Sequence, residues 1–232
     1  IYIMMELVLS LVLAHLVADF MLQTGKSCKD KKERHWKSPH HYIHAFFVFG
    51  LSWLVSWDVC FWWGALMIGV AHLGIDIWKS YREDNVVWFT LDQALHLLVI
   101  AGVVYAWTRC HDWCLPFGIE LRHIAVVVAL LVCWKPANIC IKLMLKHYSV
   151  NMPEDKESGF NAGALIGSIE RWLILIFVCM QRYEALGLLI AAKSIIRFGD
   201  KETAKTEYVL AGTLLSVLIA VLAGMMVIGV NR

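Results

Sequence analysis

What most constrains this chain is a succession of apolar runs, each long enough to cross a bilayer, separated by short polar stretches. The hydrocarbon core of a membrane takes about 20 helical residues to span. Of the 232 residues 59% are hydrophobic and 17% charged, whereas soluble domains average roughly 25% charged. The pattern predicts an all-α polytopic membrane protein, with about eight transmembrane helices in one bundle. The expected spans are 2–23, 40–57, 60–80, 86–107, one that begins near 119, 161–180, 184–198 and 208–230. The fifth is interrupted at Lys135-Pro136, since proline breaks or kinks a helix. The stretch 137–148 is then either a kinked continuation or an amphipathic helix on the inner surface.

Orientation comes from where the basic residues fall. Lys26, Lys29, Lys31, Lys32, Arg34 and Lys37 crowd the loop 25–39, and Lys79 and Arg82 sit in the turn 79–85. Short basic loops stay in the cytoplasm, so both termini are expected on the non-cytoplasmic side. Trp36, Trp57, Trp62, Trp63, Trp88 and Trp107 fall near span ends, as an interfacial belt requires. The net charge of +2 neither calls for an acidic partner nor excludes one. No nucleic-acid partner is expected, because topology and anionic headgroups account for the basic loop. No basic n-region or small-residue cleavage site precedes the first run, so it is expected to be a retained span. Ile1-Tyr2-Ile3 precede Met4 and are not assumed to be native. Seven cysteines without a CxxC exclude a zinc ribbon or thioredoxin-like motif. Cys110 and Cys114, on the outer side, either form a disulfide or remain two thiols.

Three of the apolar runs carry a histidine and an aspartate four residues apart: His15 and Asp19, His72 and Asp76, Asp92 and His96. At that spacing two side chains share one face of a helix. Ionisable groups in a bilayer normally face a protein interior or a water-filled cavity and mark function. The order reverses with chain direction, so every aspartate lies one turn nearer the cytoplasm than its histidine. His44 falls at the histidine level, with His41 nearer the rim. A layer of imidazoles above a layer of carboxylates is therefore expected to open toward the cytoplasm.

Mixed imidazole and carboxylate donors suit zinc first, with manganese, iron or nickel as alternatives, better than calcium or magnesium. The ligand candidates are His15, His41, His44, His72 and His96 with Asp19, Asp76 and Asp92. That is more than one tetrahedral ion needs, and fits one ion with supporting carboxylates or two adjacent ions. An aspartate not used as ligand, among Asp19, Asp76 and Asp92, can serve as general base. The bland alternative for each pair is an interhelical polar clamp. His35, His111, His123 and His147 are expected at the surface. The domain division expected is 1–108, a four-helix His/Asp half, and 109–232, a membrane half packing on it.

In that second half, Glu170, Arg171 and Lys193 lie mid-span on neighbouring helices. A Glu170–Lys193 ion pair is expected, because unpaired charges there are costly. The functional alternative is an anion or lipid-phosphate site built from Lys135, Arg171 and Lys193. Gly163 and Gly167 have the GxxxG spacing that permits close helix contact.

The strings AHLVADFMLQT, HHYIHAFF, AHLGIDIWKS and LDQALHLLVI resemble a bacterial inner-membrane family catalogued as domain of unknown function 3307. GALIGSIERWLIL and LLIAAKSIIRFGD resemble the C-terminal half of its longer members. The resemblance implies a multi-pass protein of the bacterial inner membrane, and a distant similarity to predicted membrane-bound metal-dependent hydrolases. Its pattern falls on His15, Asp19, His41, His44, His72, Asp76, Asp92, Gln93 and His96. The function expected is metal-dependent hydrolysis of a lipid or lipid-linked ester or phosphoester, taken from the cytoplasmic side. The alternatives are a metal-ion or proton-coupled transporter using the same layers, and a metal-stabilised structural or sensing protein. The absence of HExxH argues against a site-two-type protease. Nothing in the sequence fixes the headgroup or the oligomeric state.

Overall fold

A computed structural model describes residues 2–111, 120–148, 162–197 and 203–230. All regular structure among these residues is helical. The chain divides into two compact units, Ile1–Val128 and Ala129–Arg232.

The first unit opens with α1 (Tyr2–Leu16), which continues as a π-helical segment, Val17–Leu22. The basic stretch expected to be a loop is instead a short helix, α2 (Gly25–Arg34), followed by a 3-10 turn at His35–Lys37. Its start is a reciprocal cap: the Thr24 hydroxyl accepts from the Ser27 amide, and the Ser27 hydroxyl accepts from the Thr24 amide. Such a cap satisfies amide groups that a helix start leaves bare. α3 (Pro39–Ser56) begins with Ser38 as cap and proline at its first position, where the missing N–H costs nothing. It ends at Trp57, whose φ of 52° breaks the helix. A 3-10 turn capped by Asp58 leads into α4 (Trp62–Ser80), and Asn85 caps α5 (Val86–Cys110) by accepting from the Trp88 amide.

Four of these helices make the bundle: α3 lies along α4, α4 along α5, and α1 against α3 and α5. Leu7, Leu11, Val48, Phe61, Ala65, Ile68, Ile100 and Val104 form its apolar core. α3 and α4 approach closely at Gly69, where a Cβ would stand 3.0 Å from Cβ of Phe49 and 3.3 Å from the Ala45 carbonyl oxygen.

α6 (Leu121–Val132) crosses the boundary between the units. The second unit continues with α7 (Lys135–His147), α8 (Ala162–Cys179), α9 (Tyr183–Arg197) and α10 (Thr203–Gly229). α8 packs along α10, and α7 against both. Gly224 of α10 admits Val178 of α8, whose Cγ1 would meet a Cβ there at 2.5 Å. Gly167, expected to serve a helix–helix contact, instead makes room on its own helix for Arg171, whose Nη1 would lie 3.2 Å from a Cβ.

Among the described residues, four stretches are long and apolar enough to cross a membrane: Met4–Leu22, Val59–Ser80, Val86–Cys110 and Tyr208–Gly229. The pair α6 and α7, bent by 40° at the break just before Lys135-Pro136, makes a fifth if counted as one span. α3 is less apolar because Pro39, His40, His41 and His44 occupy its first turns. Cys114, half of the pairing considered with Cys110, and the loop 152–159 lie outside the described residues.

Candidate metal centre

The histidine–aspartate spacing works in the fold as the helix geometry requires. His44, His72 and His96 are buried on the inward faces of α3, α4 and α5, and His15 joins them from α1. Their rings pack against one another, with centroids 4.1 Å apart for His72 and His96, 4.9 Å for His44 and His72, and 5.0 Å for His15 and His96. One departure from the expected regularity concerns Asp19. It lies in the π-helical segment, whose wider turn displaces it from α-helical register; such segments recur at functional sites.

Three donor atoms from three elements converge most tightly. Nε2 of His44 and Nε2 of His72 are 3.0 Å apart, and Oδ1 of Asp19 lies 3.2 Å from the first and 3.5 Å from the second. Ligands at about 2.0–2.1 Å from a tetrahedral zinc ion stand roughly 3.3–3.4 Å from one another. The triangle thus has the edge lengths of a coordination shell. Protons on the two imidazoles can serve at most the two edges to Asp19, and the third edge then sets like against like, which a central cation relieves. Asp76 flanks the triangle, with Oδ1 3.9 Å from His72 Nε2 and Oδ2 3.9 Å from His44 Nε2.

His15 is held in a defined tautomer by Gln93. The Gln93 amide nitrogen donates to Oδ2 of Asp92 at 3.2 Å, which turns its carbonyl oxygen toward Nε2 of His15, also 3.2 Å away. A carbonyl only accepts, so His15 Nε2 carries the proton and Nδ1 presents a lone pair, 3.6 Å from Asp19 Oδ1. Metal-binding histidines are commonly oriented by such a bond from the other ring nitrogen. His41 is buried, with neither ring nitrogen hydrogen-bonded, and its Nδ1 lies 3.8 Å from Asp76 Oδ2.

Two lysines complete the site. Lys31 of α2 is buried and donates to Asp76 Oδ2 at 2.5 Å, and Lys79 of α4 reaches Asp92 Oδ2 at 3.3 Å. Sequence reasoning counted both only as topological charge. The signal available was the Thr24–Ser27 capping pair, which marks the basic stretch as a helix able to turn one lysine inward. Groups of donor atoms within 4.8 Å of one another are His15–Asp19–His72, His44–His72–Asp76 and Asp76–Asp92–His96. A small cavity of about 10 Å³ lies on the apolar side, lined by His15, His72, His96, Val48, Ile68, Val99 and Ile100. Of the histidines expected at the surface, His35 is half-buried, stacked on Tyr81 at 4.1 Å and bonded to Ser80, while His111, His123 and His147 are exposed.

The second unit arranges its charges differently. Lys193 donates to Glu170. Arg171, 1% exposed, gives its N–H groups to the Cys133 carbonyl, Asn138, Ser168 and Ser216. Lys135 lies over the Trp134 ring. These contacts give the Arg171 guanidinium and the Lys193 ammonium partners among the protein's own groups.

No curated protein and no solved structure matches the chain. A family model described as Protein of unknown function (DUF3307) matches residues 7–120. The match covers two-thirds of α1, the whole of α2 to α5, and every histidine, aspartate and lysine of the centre. The strings at 163–175 and 188–200 lie beyond it. Residues 7–120, just under half of the chain and containing its histidine–aspartate bundle, belong to the family described as Protein of unknown function (DUF3307).

Proposed function

We propose that the protein is a membrane-embedded, metal-dependent hydrolase. It takes a lipid or lipid-linked ester or phosphoester from the cytoplasmic side of a bacterial inner membrane. In this reading the chain crosses that membrane eight times, with both termini on the non-cytoplasmic face. The observation that carries the reading is the His44–His72–Asp19 triangle, whose edges of 3.0, 3.2 and 3.5 Å fit a divalent transition ion, zinc foremost. A bound ion of this kind supplies Lewis acidity and lowers the pKa of water.

The chain's own groups do the rest. Asp19, His44 and His72 hold the ion, His15 adds a fourth donor, and Gln93 fixes the His15 ring. Asp76 and Asp92 exceed what one tetrahedral ion needs. They are available to accept a proton or to carry a second ion. Lys31 and Lys79 neutralise them in the low-dielectric interior, where unpaired carboxylates are costly. On the far side of the histidines Leu7, Leu11, Phe61, Ala65, Ile68, Ile100 and Val104 make a mainly apolar core, with Glu6, Ser10, Ser52 and Ser56 also buried on α1 and α3, so the transport reading is left to the flux test below.

The test uses the full chain purified in detergent, with elemental analysis and a panel of lipid esters and phosphoesters. Bound transition metal and turnover are expected, with His72→Ala lowering turnover by at least 100-fold. Metal flux into liposomes without hydrolysis would overturn the enzyme reading, and a metal-free, inactive preparation that cannot be reloaded would overturn the centre itself.

A further inference from the structure

His96 uses its two ring nitrogens differently. Nδ1 lies 2.9 Å from the backbone carbonyl oxygen of Asp92, one turn back on α5. Because a carbonyl only accepts, Nδ1 carries the proton and Nε2 is a bare lone pair. That nitrogen is buried and has no hydrogen-bond partner among the described residues, in a side chain 3% exposed. Asp92 is divided in the same way. Its Oδ2 receives Lys79 at 3.3 Å and Gln93 at 3.2 Å, whereas Oδ1 is buried without a hydrogen bond, 3.7 Å from His96 Nδ1. Asp76 is likewise held by a lysine, Lys31 on Oδ2, with both oxygens facing histidines: Oδ1 lies 3.9 Å from His72 Nε2 and Oδ2 3.9 Å from His44 Nε2.

Each lysine therefore grips one oxygen of a carboxylate and leaves the other inside the bundle. Donor atoms of Asp76, Asp92 and His96 lie within 4.8 Å of one another. Buried acceptors in native proteins are nearly always satisfied. A buried imidazole lone pair and a buried carboxylate oxygen, each without a hydrogen-bond partner among the described residues, are groups that a metal ion satisfies.

We propose that Asp76, Asp92 and His96 bind a second divalent cation beside the ion held at Asp19, His44 and His72, with Asp76 shared between the two groups. The proposal rests on the metal-centre reading above and narrows its substrate. Two divalent ions and two lysines outweigh the three carboxylates, and a surplus of positive charge in a buried site calls for an anionic ligand. A phosphoester meets that need and a neutral carboxylic ester does not. Paired ions are also suited to hold the attacking and leaving oxygens of displacement at phosphorus.

The full chain in detergent, stripped and reloaded with Mn²⁺, distinguishes the outcomes by metal stoichiometry and electron paramagnetic resonance. Two ions per chain with a spin-coupled signal are expected in the unaltered protein, and Asp92→Asn, close to isosteric, should retain one ion and lose the coupling. His96→Gln should do the same, so that misfolding of either variant alone does not decide the result. One uncoupled ion in the unaltered protein overturns the second site and leaves the first standing; no ion at all overturns both. Inorganic phosphate should perturb the coupled signal, and a signal indifferent to phosphate with two ions bound overturns the phosphoester assignment.

Discussion

Gln93 shows how much of this centre depends on a side chain that binds nothing itself. Its amide bridges Asp92 and His15, and so decides which nitrogen of His15 is free to donate. Gln93→Leu keeps the approximate volume and removes both bonds. The His15 ring is then free to invert its tautomer, and metal affinity is expected to fall about 10- to 100-fold, the usual cost of losing an orienting partner. Gln93→Glu should recover part of that loss, because a carboxylate still accepts from His15 Nε2. Competition with a chelator indicator, alongside a thermal melt, checks both variants; equal affinity in Gln93→Leu and the unaltered protein would show that His15 is oriented by something else. The histidines and aspartates themselves were legible in the sequence, since four-residue spacing in an apolar run has one structural consequence on a helix. Gln93 was marked only by the family pattern, and no local rule gives a glutamine this role. Lys31 and Lys79 were read as membrane-orienting charges because the sequence shows which residues are basic and not which ammonium turns inward.

At the scale of elements, the site depends on how closely α3 approaches α4, for this places His44 against His72. Gly69 sets that approach. A methyl group there would stand 3.0 Å from Phe49 Cβ and 3.3 Å from the Ala45 carbonyl oxygen, both on a helix that cannot easily move. Overpacking of this kind costs about 1–3 kcal/mol. Gly69→Ala is expected at the low end of that range and Gly69→Val at or beyond the high end, while Gly50→Ala, with nothing within 4 Å of a Cβ, should be nearly neutral. Denaturation in mixed micelles orders the three, and an unaffected Gly69→Val would mean that the helices are farther apart than described. Helix positions were largely readable from apolar run lengths. The π-helical segment was not, because a 3.6-residue period was assumed through Asp19 and nothing in VADFML announces a wider turn. α2 was missed for a related reason: a lysine-rich stretch without an apolar stripe has no periodicity to detect.

At the scale of the whole molecule, the two units carry different chemistry, and perturbing one should leave the other's signature intact. Arg171→Met removes a buried guanidinium from the Cys133 carbonyl and the Asn138 side-chain oxygen, and each acceptor left bare costs about 1–3 kcal/mol. A lowered melting temperature with unchanged metal stoichiometry is expected, and loss of the metal would tie Arg171 to the centre. Orientation in the membrane has its own probe in the native cysteines. Cys28 on α2 and Cys60 in the turn before α4 are both exposed, and they lie near opposite ends of α3. If the basic helix faces the cytoplasm, an impermeant maleimide applied to intact spheroplasts labels Cys60 and spares Cys28. After permeabilisation it labels both. Replacing Cys110, Cys114 and Cys179 by serine beforehand removes the other thiols expected on the outer side, so the labelled residue can be identified by mass. The reverse pattern would put the carboxylate layer, with Lys31 and Lys79, on the outer face, and the substrate would then have to be taken from the outer leaflet.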